Sequence, residues 1–267
     1  MALGSQQFNL EHNVTIHATT SNPPDRSAKP ALVFLHYWGG SSQTWQWVIS
    51  LLSDQYPTVA LDFRGWGEST GPASEAAYSM SLLASDAEAV IQQLDLGDFV
   101  LIGLSMGAKV AQIVAARSPA GLTSTVLLSP APLSSRRLPP EMKEQQLTAY
   151  ESVDSATFVT LNVLTASSPA NDVVDVLVAD QLRGNRWARG AWPGYGMEED
   201  FGELADAIRV PALVLAAEKD VVEPPERVKE EVHDRIRGSR WGVIPGSGHL
   251  SPVDCAQEVA NRIRSFA

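Results

Sequence analysis

Short apolar runs recur along the chain and alternate with segments of helical spacing. A run of this kind, bounded by polar or turn residues, is typical of a strand that is buried on both faces of a parallel sheet. The runs predict strands at 31–35, 58–61, 98–102, 124–128, 212–216 and 241–244. Residues 8–19 instead alternate apolar and polar positions, which predicts a half-buried antiparallel ribbon, and a loop follows over 20–30.

Apolar residues spaced three and four apart predict amphipathic helices between these strands. The clearest pattern lies at 79–94, where Met80, Leu83, Ala87 and Val90 share one face. Further helical patterns occupy 43–53, 108–118, 225–237 and 252–266. Because buried strands alternate with helices, we predict an α/β fold, a doubly wound and mostly parallel sheet of about eight strands.

The alternation stops between residues 133 and 207. Short helical patterns cover 140–150, 154–164 and 171–182, and the stretch 183–196, with its Gly, Arg and Trp residues, is predicted as a loop. No run in this part is typical of a buried strand. We therefore expect a helical cap insertion over 133–207, above a core domain formed by 1–132 and 208–267.

The composition narrows the class of protein. The 267 residues include 31 acidic and 20 basic side chains, and the net charge of −11 argues against nucleic-acid or anionic-membrane partners. The single cysteine excludes an internal disulfide. No secretory signal and no membrane-spanning apolar stretch is visible, so we expect a cytoplasmic monomer or homodimer.

The motif Gly103-Leu104-Ser105-Met106-Gly107 lies directly between a predicted buried strand and a predicted helix. In such a tight strand–turn–helix the central serine projects its hydroxyl above the sheet, and the glycines avoid Cβ collisions. Met106 begins the helix, so its N–H is unpaired at the positive end of the helix dipole. We predict that Ser105 is a nucleophile.

A serine nucleophile needs a base, and the chain has five histidines. His12 and His17 lie in the N-terminal ribbon and are expected at the surface or the sheet edge. His233 lies in a charged helical stretch, and His36, at the end of a buried strand, is expected to form structural hydrogen bonds. His249 follows the last predicted strand in a glycine-containing loop, and we predict it as the general base.

The acid that orients the base is expected at the tip of the strand 212–216, because ligand chemistry collects at the carboxyl ends of parallel strands. Asp220 and Glu218 are both candidates, and we favour Asp220. The resulting order along the chain, Ser105, Asp220, His249, is the order of triads on this kind of sheet.

Taken together, these residues resemble the α/β-hydrolase fold family over nearly the whole chain. Besides the three site residues, the resemblance rests on His36-Tyr37-Trp38-Gly39-Gly40 and on the pattern Asp62-x-Arg64-Gly65-x-Gly67-x-Ser69. It implies an oxyanion hole formed by the backbone N–H groups of Trp38 and Met106, and a bracing role for the segment 62–69. The family usually has His-Gly where this chain has His36-Tyr37, so we expect Tyr37 to alter the loop or to enter the pocket.

We predict a serine hydrolase for a carboxylic ester or lactone of a small apolar molecule, with no cofactor and no metal. The candidate substrate-binding residues are aromatic or apolar: Tyr37, Trp38, Trp187, Trp192, Val222 and Leu250. The same scaffold also supports carbon–carbon bond hydrolysis, cofactor-free perhydrolysis of the haloperoxidase type and hydroxynitrile cleavage. A ligand-binding receptor or pseudoenzyme is the alternative outside enzymes.

Overall fold

A single sheet runs through the structure, a computed structural model that describes residues 4–22 and 29–267. Within these residues the sheet has eight strands in the order β1-β2-β4-β3-β5-β6-β7-β8. Their bounds are β1 Gly4–Asn9, β2 Thr15–Ser21, β3 Ala31–Leu35, β4 Thr58–Leu61, β5 Phe99–Leu104, β6 Leu122–Leu128, β7 Ala212–Ala217 and β8 Arg240–Ile244. The predicted fold class is confirmed, although part of the loop predicted over 20–30 lies outside the described residues.

The two ends of the sheet differ in strand direction. β1 and β2 form an antiparallel ribbon, and β2 joins β4 in antiparallel register. From β4 onward every neighbouring pair is parallel. The carboxyl ends of β3, β5, β6, β7 and β8 therefore meet at one edge of the sheet, where the predicted site residues follow them.

Helices cover both faces of the sheet because successive side chains of each central strand point to opposite faces. In β3, Leu32 and Phe34 pack into one apolar cluster, whereas Val33 and Leu35 pack into the other. The helices are α1 Gln46–Ser50, α2 Met80–Leu94, α3 Met106–Arg117, α4 Pro140–Thr148, α5 Val153–Val159, α6 Asn171–Arg183, α7 Arg186–Ala191, α8 Pro225–Glu231, α9 Ser251–Asp254 and α10 Ala256–Phe266. α2 and α3 cover one face, and α1 and α10 cover the other.

Several predicted boundaries need correction. The stretch 183–196, predicted as a loop, contains α7 and a π-helical turn at Trp192–Gly196. Its helix begins because the Asn185 side chain accepts a hydrogen bond from the N–H of Ala188 at 2.8 Å. The helix predicted at 252–266 is interrupted at Cys255, whose φ of −140° is not helical.

Residues 133–207, here called the 133–207 segment, contain helices and turns and, as described, no strand. This segment connects β6 to β7, which are neighbours in the sheet. Its division from a core domain remains a prediction. Within the described ranges, no helix combines the length and apolar character needed to cross a membrane.

The contact between α3 and β3 gives a first prediction. A Cβ atom at Gly107 would lie 2.5 Å from the carbonyl oxygen of Leu35 and closer still to that of His36. Because backbone atoms cannot yield cheaply, Gly107→Ala should lower the free energy of unfolding by about 1–3 kcal/mol. Gly190→Ala is the matched control, since nothing lies within 4 Å of its Cβ position. Equal urea midpoints for the two variants would contradict the close packing.

Candidate active site

Ser105 lies between the end of β5 and the start of α3 in a strained backbone conformation. Its φ of 56° and ψ of −116° are rare for a residue with a side chain. Its N–H donates to the Leu128 carbonyl at 3.0 Å, and its own carbonyl accepts from the N–H of Lys109 at 3.1 Å. Ser105 is 6% exposed, and its hydroxyl forms no hydrogen bond with the residues that the structure describes. The core backbone thus fixes the turn and leaves the hydroxyl uncommitted.

Asp220 and His249 are brought together at the same sheet edge, after β7 and β8. His249 Nδ1 lies 2.8 Å from Asp220 Oδ2. The other carboxylate oxygen of Asp220 accepts from the N–H groups of Val222 at 2.8 Å and Glu223 at 2.9 Å. Glu218, the alternative acid, is exposed and accepts instead from the N–H of Gly246 at 2.7 Å. The geometry therefore favours Asp220 over Glu218 as the partner of the imidazole.

The interaction between Asp220 and His249 lowers the pKa of the carboxyl group and raises the pKa of the imidazole. Burial raises the pKa of Asp220, but the charge and hydrogen bond of His249, together with further hydrogen bonds such as that from the Glu223 N–H, outweigh this effect and hold the pKa below its usual value. Burial lowers the pKa of His249, yet the Asp220 carboxylate reverses this effect and the pKa is raised above 6.5. The stable arrangement is therefore an ionised Asp220 that accepts a hydrogen bond from the Nδ1–H of His249.

A second buried carboxyl group, Glu223, stands beside this pair and was not singled out from the sequence. It is 2% exposed, and burial raises its pKa to about 7 although two arginines oppose the shift. Arg136 donates to it at 2.8 Å and Arg227 at 3.1 Å. In the sequence, only the position of Glu223 three residues after Asp220 could have indicated a role for it. Its partner Arg136 lies in the 133–207 segment, and no local pattern relates the two residues.

The loop after β3, residues 36–41 (the 36–41 loop), begins with a buried histidine. His36 Nε2 accepts from the N–H of Phe63 at 3.0 Å, so Nδ1 carries the proton and donates to the Tyr37 carbonyl at 2.6 Å. Burial lowers the pKa of His36 to about 4. A neutral imidazole with both nitrogens engaged fits the expected structural role.

Tyr37 does not take the positive φ that glycine would permit at its position; Gly39 does, with a φ of 102°. Its ring is buried in the apolar cluster that contains Trp45. The N–H groups of Trp38 and Met106 donate to no acceptor among the described residues, as an oxyanion hole requires. Their role there remains a prediction.

The candidate substrate-binding residues differ in exposure. Tyr37, Trp38, Trp192 and Leu250 are buried. Trp187 and Val222 are partly exposed, and Arg186 lies over the Trp187 ring at 4.2 Å. Contact with a substrate remains a prediction for all six.

His17 lies in a buried network on the far side of the 36–41 loop, so its expected surface position was wrong. Its Nδ1 lies 2.8 Å from Asp62 Oδ2, and Asp62 also accepts from the N–H groups of Ser42 at 2.6 Å and Glu68 at 2.8 Å. These bonds join the end of the 36–41 loop to the segment 62–69, as expected of a brace. In the described ranges, no three His, Cys, Asp or Glu side chains are arranged to hold a metal ion.

The chain is similar in sequence to known proteins. A family model for the alpha/beta hydrolase fold matches residues 30–254. A Bacillus subtilis protein provisionally named 2-succinyl-6-hydroxy-2,4-cyclohexadiene-1-carboxylate synthase is 28% identical over 241 residues, covering 85% of this chain and 86% of that protein.

Solved structures show the same fold. An esterase from Exiguobacterium antarcticum superposes with a TM-score of 0.87 at 20% identity, covering 97% of this chain and 98% of the esterase. An enol-lactonase from Burkholderia xenovorans has a TM-score of 0.83 at 19% identity, with coverage of 98% and 99%. The motif residues, the sheet order and the match over most of the sequence lead to one conclusion: this chain belongs to the α/β-hydrolase fold family.

Proposed function

We propose that this α/β hydrolase is a serine hydrolase that cleaves a carboxylic ester or lactone of a small apolar molecule. The observation that carries the proposal is the strained backbone of Ser105 at the sheet edge that also holds the His249–Asp220 hydrogen bond. Strain of this kind persists where a function uses it. The esterase and the enol-lactonase with the same fold support this substrate class.

In the proposed reaction, Ser105 Oγ attacks the acyl carbon and His249 Nε2 takes its proton. Asp220 accepts from Nδ1–H, which keeps Nε2 unprotonated in the neutral ring and stabilises the imidazolium once it forms. The imidazolium then protonates the leaving alcohol. A water molecule, activated by the same nitrogen, releases the acyl group from Ser105.

The negative charge of the tetrahedral intermediate is stabilised by two backbone donors. The N–H of Met106 lies at the first residue of α3, where the helix supplies no acceptor. The N–H of Trp38 is the second donor. Such donors act in a site shielded from water, where losing one typically costs about 2.7–4 kcal/mol of transition-state stabilisation.

Substrate entry requires movement of the covering residues, because Ser105 is 6%, His249 2% and Asp220 4% exposed. The end of the π-helical turn Thr160–Leu164 covers the His249 loop: the N–H of Leu250 donates to the Leu164 carbonyl at 2.8 Å. These contacts support a cap role for the 133–207 segment.

Ser105→Ala should abolish the acyl-enzyme. With a p-nitrophenyl ester of a short acyl chain, wild type should show a burst, whereas the variant should lose it together with at least about 10⁴-fold of kcat. A fluorophosphonate probe should label wild type alone. Ser124→Ala is the matched control, because Ser124 is equally buried, at 6% exposure, but lies in β6 away from the proposed site. Full turnover by Ser105→Ala would refute the nucleophile.

Turnover of esters, lactones, amides and vinylogous diketones, measured alongside an assay for peroxide-dependent halogenation, separates these alternative reactions. Preference for a diketone or for halogenation would replace the ester assignment while retaining the same three residues. Tight binding of a ligand with no turnover of any compound would instead indicate a receptor. We expect esters or lactones to give the highest kcat/KM.

The pH dependence of kcat/KM on the acid side follows from the raised pKa of His249. The base works only when it is unprotonated, so kcat/KM should rise with pH through a midpoint above 6.5. Glu223 is only partly ionised in this pH range because its own pKa is about 7. Glu223→Gln removes that partial negative charge, which raises the pKa of His249, and leaves Arg136 nearby, which lowers it, so the midpoint should move to lower pH. A wild-type midpoint at or below 6.5 would contradict the assignment.

A further inference from the structure

Two polar contacts join Trp38 of the 36–41 loop to the 133–207 segment, one through its backbone carbonyl and one through its side chain. The Tyr150 hydroxyl donates to the Trp38 carbonyl at 3.1 Å, and the two rings pack in a tilted arrangement with their centroids 4.3 Å apart. The indole Nε1 of Trp38 donates in turn to the Arg189 carbonyl at 3.0 Å. Tyr150 is 2% and Trp38 is 9% exposed, so this hydrogen bond lies in a largely buried place.

Helix α6 contacts the loop on either side of Trp38. The Ser41 hydroxyl donates to Asp180 Oδ2 at 2.5 Å, and Gln181 Nε2 donates to the Tyr37 hydroxyl at 3.3 Å. Asp180 is 2% exposed and Gln181 is completely buried. Consecutive residues of one helix thus hold both ends of the loop.

The loop itself has few internal bonds. Within it, the N–H of Gly40 donates to the Tyr37 carbonyl at 3.0 Å, and His36 donates to the same oxygen. Ser105 and Met106, by contrast, belong to a turn that backbone bonds to β6 hold in place. The Met106 N–H is therefore fixed by the sheet. The Trp38 N–H belongs to the Tyr37–Trp38 peptide, which these two loop bonds hold, and the next peptide, Trp38–Gly39, is held by the Tyr150 hydroxyl from the 133–207 segment.

We propose that Tyr150, supported by Asp180 and Gln181, positions the Trp38 N–H for the tetrahedral oxyanion. The 133–207 segment then contributes to stabilisation of the transition state as well as covering the site. Tyr150 is a positioning residue: its hydroxyl acts through the Trp38 carbonyl and contacts no reacting atom. This inference rests on the proposed hydrolase function.

Tyr150→Phe tests the inference because it deletes the hydroxyl and keeps the ring that packs against Trp38. We expect kcat for an activated ester to fall about tenfold with KM unchanged, less than the about 10²–10³-fold typical of losing an oxyanion donor itself. Affinity for an alkyl trifluoromethyl ketone, whose serine adduct carries the oxyanion, should fall by the same factor. Tyr195→Phe is the matched control, since its hydroxyl donates to the Glu75 carbonyl outside the loop.

A second pair of variants probes α6. Asp180→Ala removes the acceptor of the Ser41 hydroxyl and should lower kcat, whereas Asp180→Asn retains an acceptor oxygen and should keep more activity than Asp180→Ala. Asp175→Ala, on the exposed side of the same helix, is the control for loss of helix charge. Thermal unfolding of each variant separates loss of positioning from loss of fold.

The outcomes distinguish failure of the proposed hydrolase function from failure of the positioning role of Tyr150. If wild type neither hydrolyses esters nor reacts with a fluorophosphonate, the proposed function fails. If wild type reacts but Tyr150→Phe matches Tyr195→Phe in kcat and in trifluoromethyl ketone affinity, the positioning inference is overturned. A fall in kcat and inhibitor affinity without a change in KM or melting temperature supports it.

Discussion

The first turn of α3 packs directly against the backbone at the end of β3, and the proposed site depends on this contact. No side chain fits at Gly107, because the carbonyl groups of Leu35 and His36 already occupy the position of its Cβ. Gly103 is equally restricted, since its Cβ would lie 2.5 Å from the Gly107 carbonyl oxygen. Ser105 takes its strained φ of 56° between these two glycines, and the start of α3 lies against the carbonyl groups of Leu35 and His36. One packing constraint thus fixes the turn that carries Ser105 and places the start of α3 against the end of β3, from which the 36–41 loop leaves.

The 133–207 segment contacts helix α3, the loops that carry Asp220 and His249, and the 36–41 loop. Lys109 of α3 is buried, its pKa is lowered to about 8 by burial, and its ammonium donates to the Glu199 carbonyl at 2.8 Å. Asp254, next to the His249 loop, accepts from the N–H groups of Gly248 and Ala166, each at 2.8 Å. The Lys109 and Gly248 bonds and the Arg136–Glu223 pair at 2.8 Å are partly buried, where an unpaired partner is costly, whereas the Ala166 bond is exposed. These bonds therefore couple the position of the 133–207 segment to that of the elements around the proposed site.

The sequence predicted the parts of this structure that local patterns encode. Apolar runs gave the buried strands, and the strand–turn–helix context singled out Ser105; the pairing of His249 with Asp220 follows because β7 and β8 end side by side. Stretch 183–196 was mispredicted because its glycines and proline favour a loop locally, whereas the Asn185 cap starts a helix. Contacts such as Tyr150 to Trp38 join residues 112 positions apart. No periodicity relates such residues, so only the fold reveals them.

Tyr37 shows how a departure from a family pattern is accommodated. A glycine after His36 would allow a positive φ and leave space beside the loop; here Gly39 takes the positive φ, and the Tyr37 ring fills the space against Gly40. A buried phenol needs a hydrogen-bond partner, and Gln181 of α6 supplies it. Tyrosine at this position therefore adds a ring to the core and a hydroxyl group whose hydrogen-bond partner comes from α6 and not from the strands. In this chain the loop and α6 depend on each other, which explains why a bulky side chain next to the proposed oxyanion donor is compatible with the fold.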